Sequence, residues 1–302
     1  MIKTLFPAFG TINSISIFDS CDVSAMEEIK RYMLQMHHRL SFFDAESEVG
    51  QINRQAGIHS VAVCKDTFHL LSLAQDYAGE TKGAFDITAG SMSELWRNAI
   101  QLAQLPSEER IAWCQTRCDI NKLELDPTRG TAFLREKGMK LDLGGIVKGY
   151  AANQARSMLR ARGIQQAQIN FGGTVIVMGK PQNVGIQNPY RKTGVPMAAI
   201  ALKDKAVVTS GSYERCWVEH GKRVHHIINP QTGRPSGSGL LSVTLIGENA
   251  AMLDALATGI CCLGQGAGRS ILRKHAISAV FVTEDGSVQV TPELQGQISL
   301  AV

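Results

Sequence analysis

From Gln168 onward the chain breaks into short apolar runs, each closed by glycine, proline or asparagine, and this restricts its fold more than any other feature. Residues 168–171, 174–178, 198–202, 206–209 and 241–246 read as strands, since β-branched and apolar residues bounded by turn formers suit a pleated surface. A helix is expected over 249–263, and 279–283 with 288–290 forms a hairpin around Glu284-Asp285-Gly286-Ser287. The first half differs. Residues 12–18 alternate apolar and polar, the period of a half-buried strand. Met26, Ile29, Met33, Met36 and Leu40 recur at steps of three and four. That spacing predicts a helix over 24–40, with Ser24 as N-cap and Glu27 completing a capping box. Residues 67–77 predict a second amphipathic helix, and 149–162 a third, closed by Gly163. Helices and strands do not alternate regularly, so an α+β fold is favoured over a doubly wound parallel sheet. No repeat or low-complexity linker divides the 302 residues, so one domain over 1–302 is expected, with a soft subdivision near residue 165.

Composition excludes several functions. A net charge of +4 over 302 residues, with no run of five basic residues, argues against nucleic-acid partners. No stretch reaches the 18 apolar residues of a membrane span. The apolar segment Leu5-Phe6-Pro7-Ala8-Phe9 is too short for a signal-peptide core, so the chain reads as cytoplasmic. An exported chain with its signal trimmed would read the same. The seven cysteines are odd in number and scattered, which predicts reduced, mostly buried thiols. Cys114 and Cys118 are expected four apart in one helix.

Three segments carry chemistry. Asp254 and Thr258 are spaced i, i+4 in a nearly all-apolar helix, which puts both on one face. A carboxylate with a hydroxyl is a hard-oxygen pair suited to Mg²⁺. The plainer alternative is that Thr258 bonds its own helix backbone while Asp254 meets a basic partner; spacing alone leaves both open. Leu141-Asp142-Leu143-Gly144-Gly145-Ile146-Val147-Lys148-Gly149-Tyr150 reads as a strand running through a double glycine into a helix start with a lysine. Such a turn lets backbone approach a ligand, and helix-terminal N–H groups favour phosphate. Neither a P-loop nor a dinucleotide-binding glycine pattern is present. His225-His226 precedes the rigid turn Asn229-Pro230-Gln231-Thr232-Gly233. Adjacent strand residues face opposite ways, so at most one histidine serves a site.

Weaker segments join these in order: Gly10-Thr11, Ser47-Glu48-Val49 with Asn53, Gly83-Ala84-Phe85-Asp86, Asn170-Phe171-Gly172-Gly173 and Thr209-Ser210-Gly211. Together the eight motifs resemble the ApbE family of FAD:protein FMN transferases, over about four-fifths of the chain. The resemblance implies an α+β fold related to the T-fold, with mixed and antiparallel sheets, packed helices and a ligand cleft. It implies Mg²⁺ bound by Asp254, Thr258 and the Gly145 carbonyl. FAD, the substrate, would be contacted by Phe9, Phe43, Ala84, Phe85, Asp86, Asp142, Lys148 and the backbone near Ile227. His226 matches the histidine implicated in transfer. The implied partner is an acceptor flavoprotein with a Ser or Thr target, and by analogy a homodimer. Phe9 stands where the family commonly has Met, Phe43 where Tyr is frequent, and Ala251 where some members have a further acidic ligand. Two rivals stay open: an FAD pyrophosphatase yielding FMN and AMP, and a flavin-binding protein without turnover.

Overall fold

The computed structural model describes residues 1–219 and 222–300. Its first half runs β1 (Ile2–Ala8), β2 (Thr11–Ile17), α1 (Val23–Arg39), α2 (Glu48–Arg54), β3 (Val61–Ala62), α3 (Lys65–Glu80), α4 (Gly90–Leu102), α5 (Glu108–Gln115), β4 (Leu123–Asp126), β5 (Thr131–Leu134) and α6 (Val147–Ala161). Five strands follow: β6 (Ala167–Phe171), β7 (Thr174–Met178), β8 (Gln182–Gln187), β9 (Pro196–Leu202) and β10 (Ala206–Gly211). Short ladders come next, β11 (Cys216–Glu219), β12 (Lys222–His225), β13 (Ile228–Asn229) and β14 (Arg234–Pro235). The chain then completes β15 (Leu240–Gly247), α7 (Ala250–Leu263), α8 (Gln265–Lys274), β16 (Ser278–Thr283), β17 (Val288–Val290) and β18 (Ile298–Leu300).

Eight strands pair in the order β1-β2-β6-β7-β10-β15-β16-β17, drawn from both sides of residue 165. Every ladder in this sheet is antiparallel. Among the described residues the parallel pairing is an isolated bridge between Ala89 and Lys140. The fold is α+β. Alternation along the strands sets the layers. Ile176, Val208 and Phe281 point into the core formed with α1, α6 and α7. Val177, Val207 and Val280 point the other way, onto the small sheet β8-β9-β18. Helix α7 touches β10 and β15 on one side and α6, α3 and α8 on others. That is why it is apolar all round, and why nearly every residue from Ala250 to Cys262 is buried.

The strands and helices read from the pattern fall within two or three residues of those observed, but three local expectations change. Helix α1 begins one residue earlier than expected, with Asp22 as its cap: Asp22 Oδ1 accepts from the Ala25 N–H at 2.9 Å. Ser24 donates its hydroxyl to the same oxygen at 2.7 Å, so its capping box with Glu27 does not form. A charged oxygen is the stronger acceptor. Residues 141–142 form no strand, because Asn53 takes both backbone groups of Leu141: its Oδ1 accepts the N–H at 2.6 Å and its Nδ2 donates to the carbonyl at 3.1 Å. Finally, α5 stops at Gln115, leaving Cys118 outside it. All seven thiols are free, yet only Cys114, Cys261 and Cys262 are fully buried and Cys21 is exposed. Among the described residues no helix is long and apolar enough to cross a membrane.

Candidate active site

The start of α6 meets the first turn of α7 at a distance that only glycine permits, and the loop before α6 packs tightly on the middle of α7. A Cβ on Gly149 would lie 2.1 Å from the Ala250 carbonyl oxygen, and one on Gly145 would lie 3.1 Å from Thr258 Oγ1 and 3.2 Å from Phe85 Cε2. Helix α6 has no side-chain cap of its own. Asp254 supplies one from the neighbouring helix, its Oδ2 accepting the Gly149 N–H at 3.0 Å. A carboxylate at a helix N-terminus meets both an unpaired N–H and the positive end of the dipole. Its other oxygen lies 3.5 Å from Lys148 Nζ, with the Asp254 side chain 3% exposed. Lys148 also donates to the Gly144 carbonyl at 2.9 Å. Thr258 Oγ1 donates to the Asp254 carbonyl at 3.1 Å and lies 3.4 Å from Ser210 Oγ. Both contacts of the plainer alternative are therefore present. They coexist with the approach of Gly145, which neither requires.

This cluster fits a hard cation. One Asp254 carboxylate oxygen lies 3.5 Å from the Lys148 ammonium, and the Thr258 and Ser210 hydroxyls and the Gly144 and Asp254 carbonyls are the oxygen donors beside it. No group of three or more His, Cys, Asp or Glu with metal-site spacing occurs among the described residues.

Asp142 lies on the outer side of the double-glycine turn. Its Oδ1 accepts the Gly144 N–H at 2.9 Å, and its Oδ2 pairs with Arg97 at 3.1 Å. Arg97 in turn lies against the rings of Phe42 and Phe43. Ala84 and Phe85 are buried behind Gly145. Asp86 turns away: its Oδ1 accepts from the Thr88 N–H and hydroxyl at 2.7 and 2.6 Å, and its Oδ2 from the Ile120 N–H at 3.0 Å. Burial raises its pKa despite these donors. Phe9 has φ 53° and packs its ring on His37 and Phe171, next to Gly10, whose Cβ would be 3.8 Å from the Arg215 guanidinium. A cavity of about 370 Å³ backs onto Gly83, Asp86, Pro230 and Gln231, and another of about 480 Å³ lies between α4 and α5. Neither is lined by Gly145, Lys148, Asp254 or Thr258.

The two histidines part as strand alternation requires. His225 is buried, its Nδ1 accepting the Ile227 N–H at 3.2 Å and its Nε2 3.1 Å from the Ser236 carbonyl. One ring nitrogen must accept and the other donate, so the ring is neutral, and burial lowers its pKa. His226 is exposed, and its N–H donates to the Arg215 carbonyl at 3.2 Å. Desolvation first, then the positive charges of Arg215 and Lys148, lower its pKa to about 4. The segment is seated by Val224, Ile228 and Trp217 packing on Met92, Leu95, Trp96 and Ile111. The Trp96 indole also donates to the Gly233 carbonyl at 2.7 Å.

Residues 9–281 match the model of the ApbE family. The chain belongs to the ApbE family. Among its relatives is the FAD:protein FMN transferase of Klebsiella pneumoniae, 34% identical over 261 residues, 86% of this chain and 81% of that protein. Another, of the same name, is from Treponema pallidum, 31% identical over 89% of this chain and 79% of that one. The ApbE protein of Thermotoga maritima superposes with a TM-score of 0.87 at 30% identity, covering 98% of both chains. The site residues named from the ApbE resemblance include neither Ser210, Arg97 nor Arg215. Ser210 lies within the Thr209-Ser210-Gly211 motif; Arg97 and Arg215 carry no local signal, since each is brought in by long-range packing.

Proposed function

We propose that this ApbE-family chain is an FAD:protein FMN transferase that moves FMN from FAD onto a Ser or Thr hydroxyl of an acceptor flavoprotein, with AMP as the leaving group. The observation that carries the reading is the meeting of Gly145, Lys148, Asp254 and Thr258 at the α6–α7 contact. Asp254, Thr258 and the Gly145 carbonyl would hold Mg²⁺. When bound, that ion supplies charge neutralisation at the pyrophosphate. Lys148 adds a positive charge on the same side, and the first turn of α6 offers backbone N–H groups to phosphate oxygens. Asp142 and Phe85 lie against the double-glycine turn, where the nucleotide would run, while Asp86 is turned toward Thr88 and Ile120.

In the transfer, the acceptor oxygen forms a bond to the phosphorus on the riboflavin side of FAD. The bond from that phosphorus to the bridging oxygen breaks, and AMP carries the electron pair away. His226, neutral at pH 7 and open to solvent, takes the acceptor proton. Its exposure is what an incoming protein side chain needs. The test mixes purified protein, FAD, Mg²⁺ and a candidate acceptor, and reads flavin fluorescence of the acceptor band on a denaturing gel. A band that is lost in Asp254→Ala supports the assignment. A reaction without acceptor that rapidly releases free FMN and AMP would replace it with hydrolysis, and intact FAD under every metal condition would replace it with storage.

A further inference from the structure

We infer that Arg97 is a positioning residue that sets a stacking platform for a planar heterocycle, formed by Phe42 and Phe43, in register with the phosphate side of the site. The inference rests on the flavin reading above.

The Arg97 guanidinium carbon lies 4.9 Å from the Phe42 ring centroid and 4.6 Å from that of Phe43. The two rings meet edge to face, at 80° with centroids 5.4 Å apart, so one flat cation faces both. The loop beneath them is fixed independently. Ser41 Oγ accepts from the N–H groups of Phe43 and Asp44, each at 3.3 Å, and Ser47 Oγ donates to the Ser41 carbonyl at 2.6 Å. Backbone position is thus set by serines, and ring position by the guanidinium. Phe43 nonetheless remains 76% exposed, with one face free for a flat ligand.

The same guanidinium pairs with Asp142 at 3.1 Å, and Asp142 accepts the Gly144 N–H at 2.9 Å. Lys148 donates to the Gly144 carbonyl at 2.9 Å and reaches Asp254 at 3.5 Å. Direct contacts therefore run unbroken from the aromatic pair to the buried carboxylate. A dinucleotide carries a planar ring and its phosphates on one molecule, and this run of contacts ties the residues that would meet the ring to those that would meet the phosphates. Lysine at position 97 would keep the charge beside Asp142 but lose the planar face.

The test uses the full chain with Mg²⁺ and FAD. FAD affinity is read from flavin fluorescence, and kcat and KM from acceptor labelling, for wild type, Arg97→Ala, Arg97→Lys, Phe43→Ala and the Arg97→Ala/Phe43→Ala double variant. Arg97→Ala should raise the FAD Kd and KM roughly tenfold with kcat changed less than about threefold, the scale of a lost cation–π and ion-pair contact. Arg97→Lys should recover only part of this. The double variant should bind about as well as Arg97→Ala, because the two residues act as one unit. Fluorescence quenching of bound flavin should weaken in step. Competition by FMN and by AMP identifies the stacked ring as isoalloxazine or adenine, by which competitor loses affinity in Phe43→Ala; undiminished competition by both overturns the platform. Wild-type affinity in Arg97→Ala, or fully multiplicative losses in the double variant, overturns the positioning role while the transferase stands. A wild-type protein that neither binds FAD nor labels acceptor removes both. Phe43→Ala, an exposed truncation, keeps the test decisive should Arg97→Ala fail to fold.

Discussion

Replacing Gly149 with alanine sets two effects of opposite sign against each other. Gly149 lies inside α6 with ordinary helical backbone, and alanine there gains about 1 kcal/mol of helix propensity. On an exposed helix that gain would decide the outcome. Here the new Cβ would lie 2.1 Å from the Ala250 carbonyl oxygen, 2.6 Å from its carbon and 2.8 Å from Ala251 Cα. An ordinary carbon-to-carbonyl-oxygen contact is about 3.3 Å, so the overlap exceeds roughly 1 Å. The atoms met are backbone of a buried helix, with no rotamer to move aside. Such overpacking costs about 3 kcal/mol or more. The net expectation is a loss of about 2 kcal/mol, and with about 2.1 cal/mol/K of unfolding entropy per residue over 302 residues, a melting temperature about 3 °C lower. Relief requires α6 to move off α7, which separates Gly145 and Lys148 from Thr258 and Asp254. Transfer should then fall further than stability alone explains, on the order of 100-fold with the protein still folded. Calorimetry and the acceptor-labelling assay measure both quantities. A Gly149→Ala protein as stable as wild type, with full activity, would show that the α6–α7 contact does not position the site.

Other outcomes follow from the same geometry. Asp254→Asn keeps an oxygen for the Gly149 N–H, so its urea midpoint should stay near wild type while transfer falls on the order of 100-fold; Asp254→Ala should also lose about 1–3 kcal/mol through the unpaired N–H. His226→Ala should lower the labelling rate between about 10² and 10⁴-fold with FAD affinity retained, and an unchanged rate removes it from the chemistry. Because its pKa is lowered to about 4, the wild-type rate should show no inflection near pH 6.5 and should drop only as pH falls toward 4. Stability follows with its own sign: the unfolded chain protonates both histidines near pH 6.5, so unfolding is favoured progressively as pH falls below that value. Trp96→Phe removes the indole donor to Gly233 and should cost about 1 kcal/mol in denaturant titration, with a rise in labelling KM as the 229–234 turn loosens.

Local pattern carried the α+β class, the strands of the second half and the apolar character of α7, because periodicity records which face of each element is buried. The helix start beside the double glycine and the separation of His225 from His226 were equally legible, each being a matter of backbone sterics or strand alternation. The cap on α1 was misplaced by two residues because Asp22 and Ser24 both suit that role, and only geometry shows which oxygen takes the N–H. What tertiary structure alone decided is the company each residue keeps. Asp254 caps a helix more than a hundred residues away in sequence, Asp86 turns its charge inward, and Arg97 joins an aromatic loop to the double-glycine turn. Those pairings depend on how two helices settle on one sheet, and packing of that range leaves no period in the sequence to read.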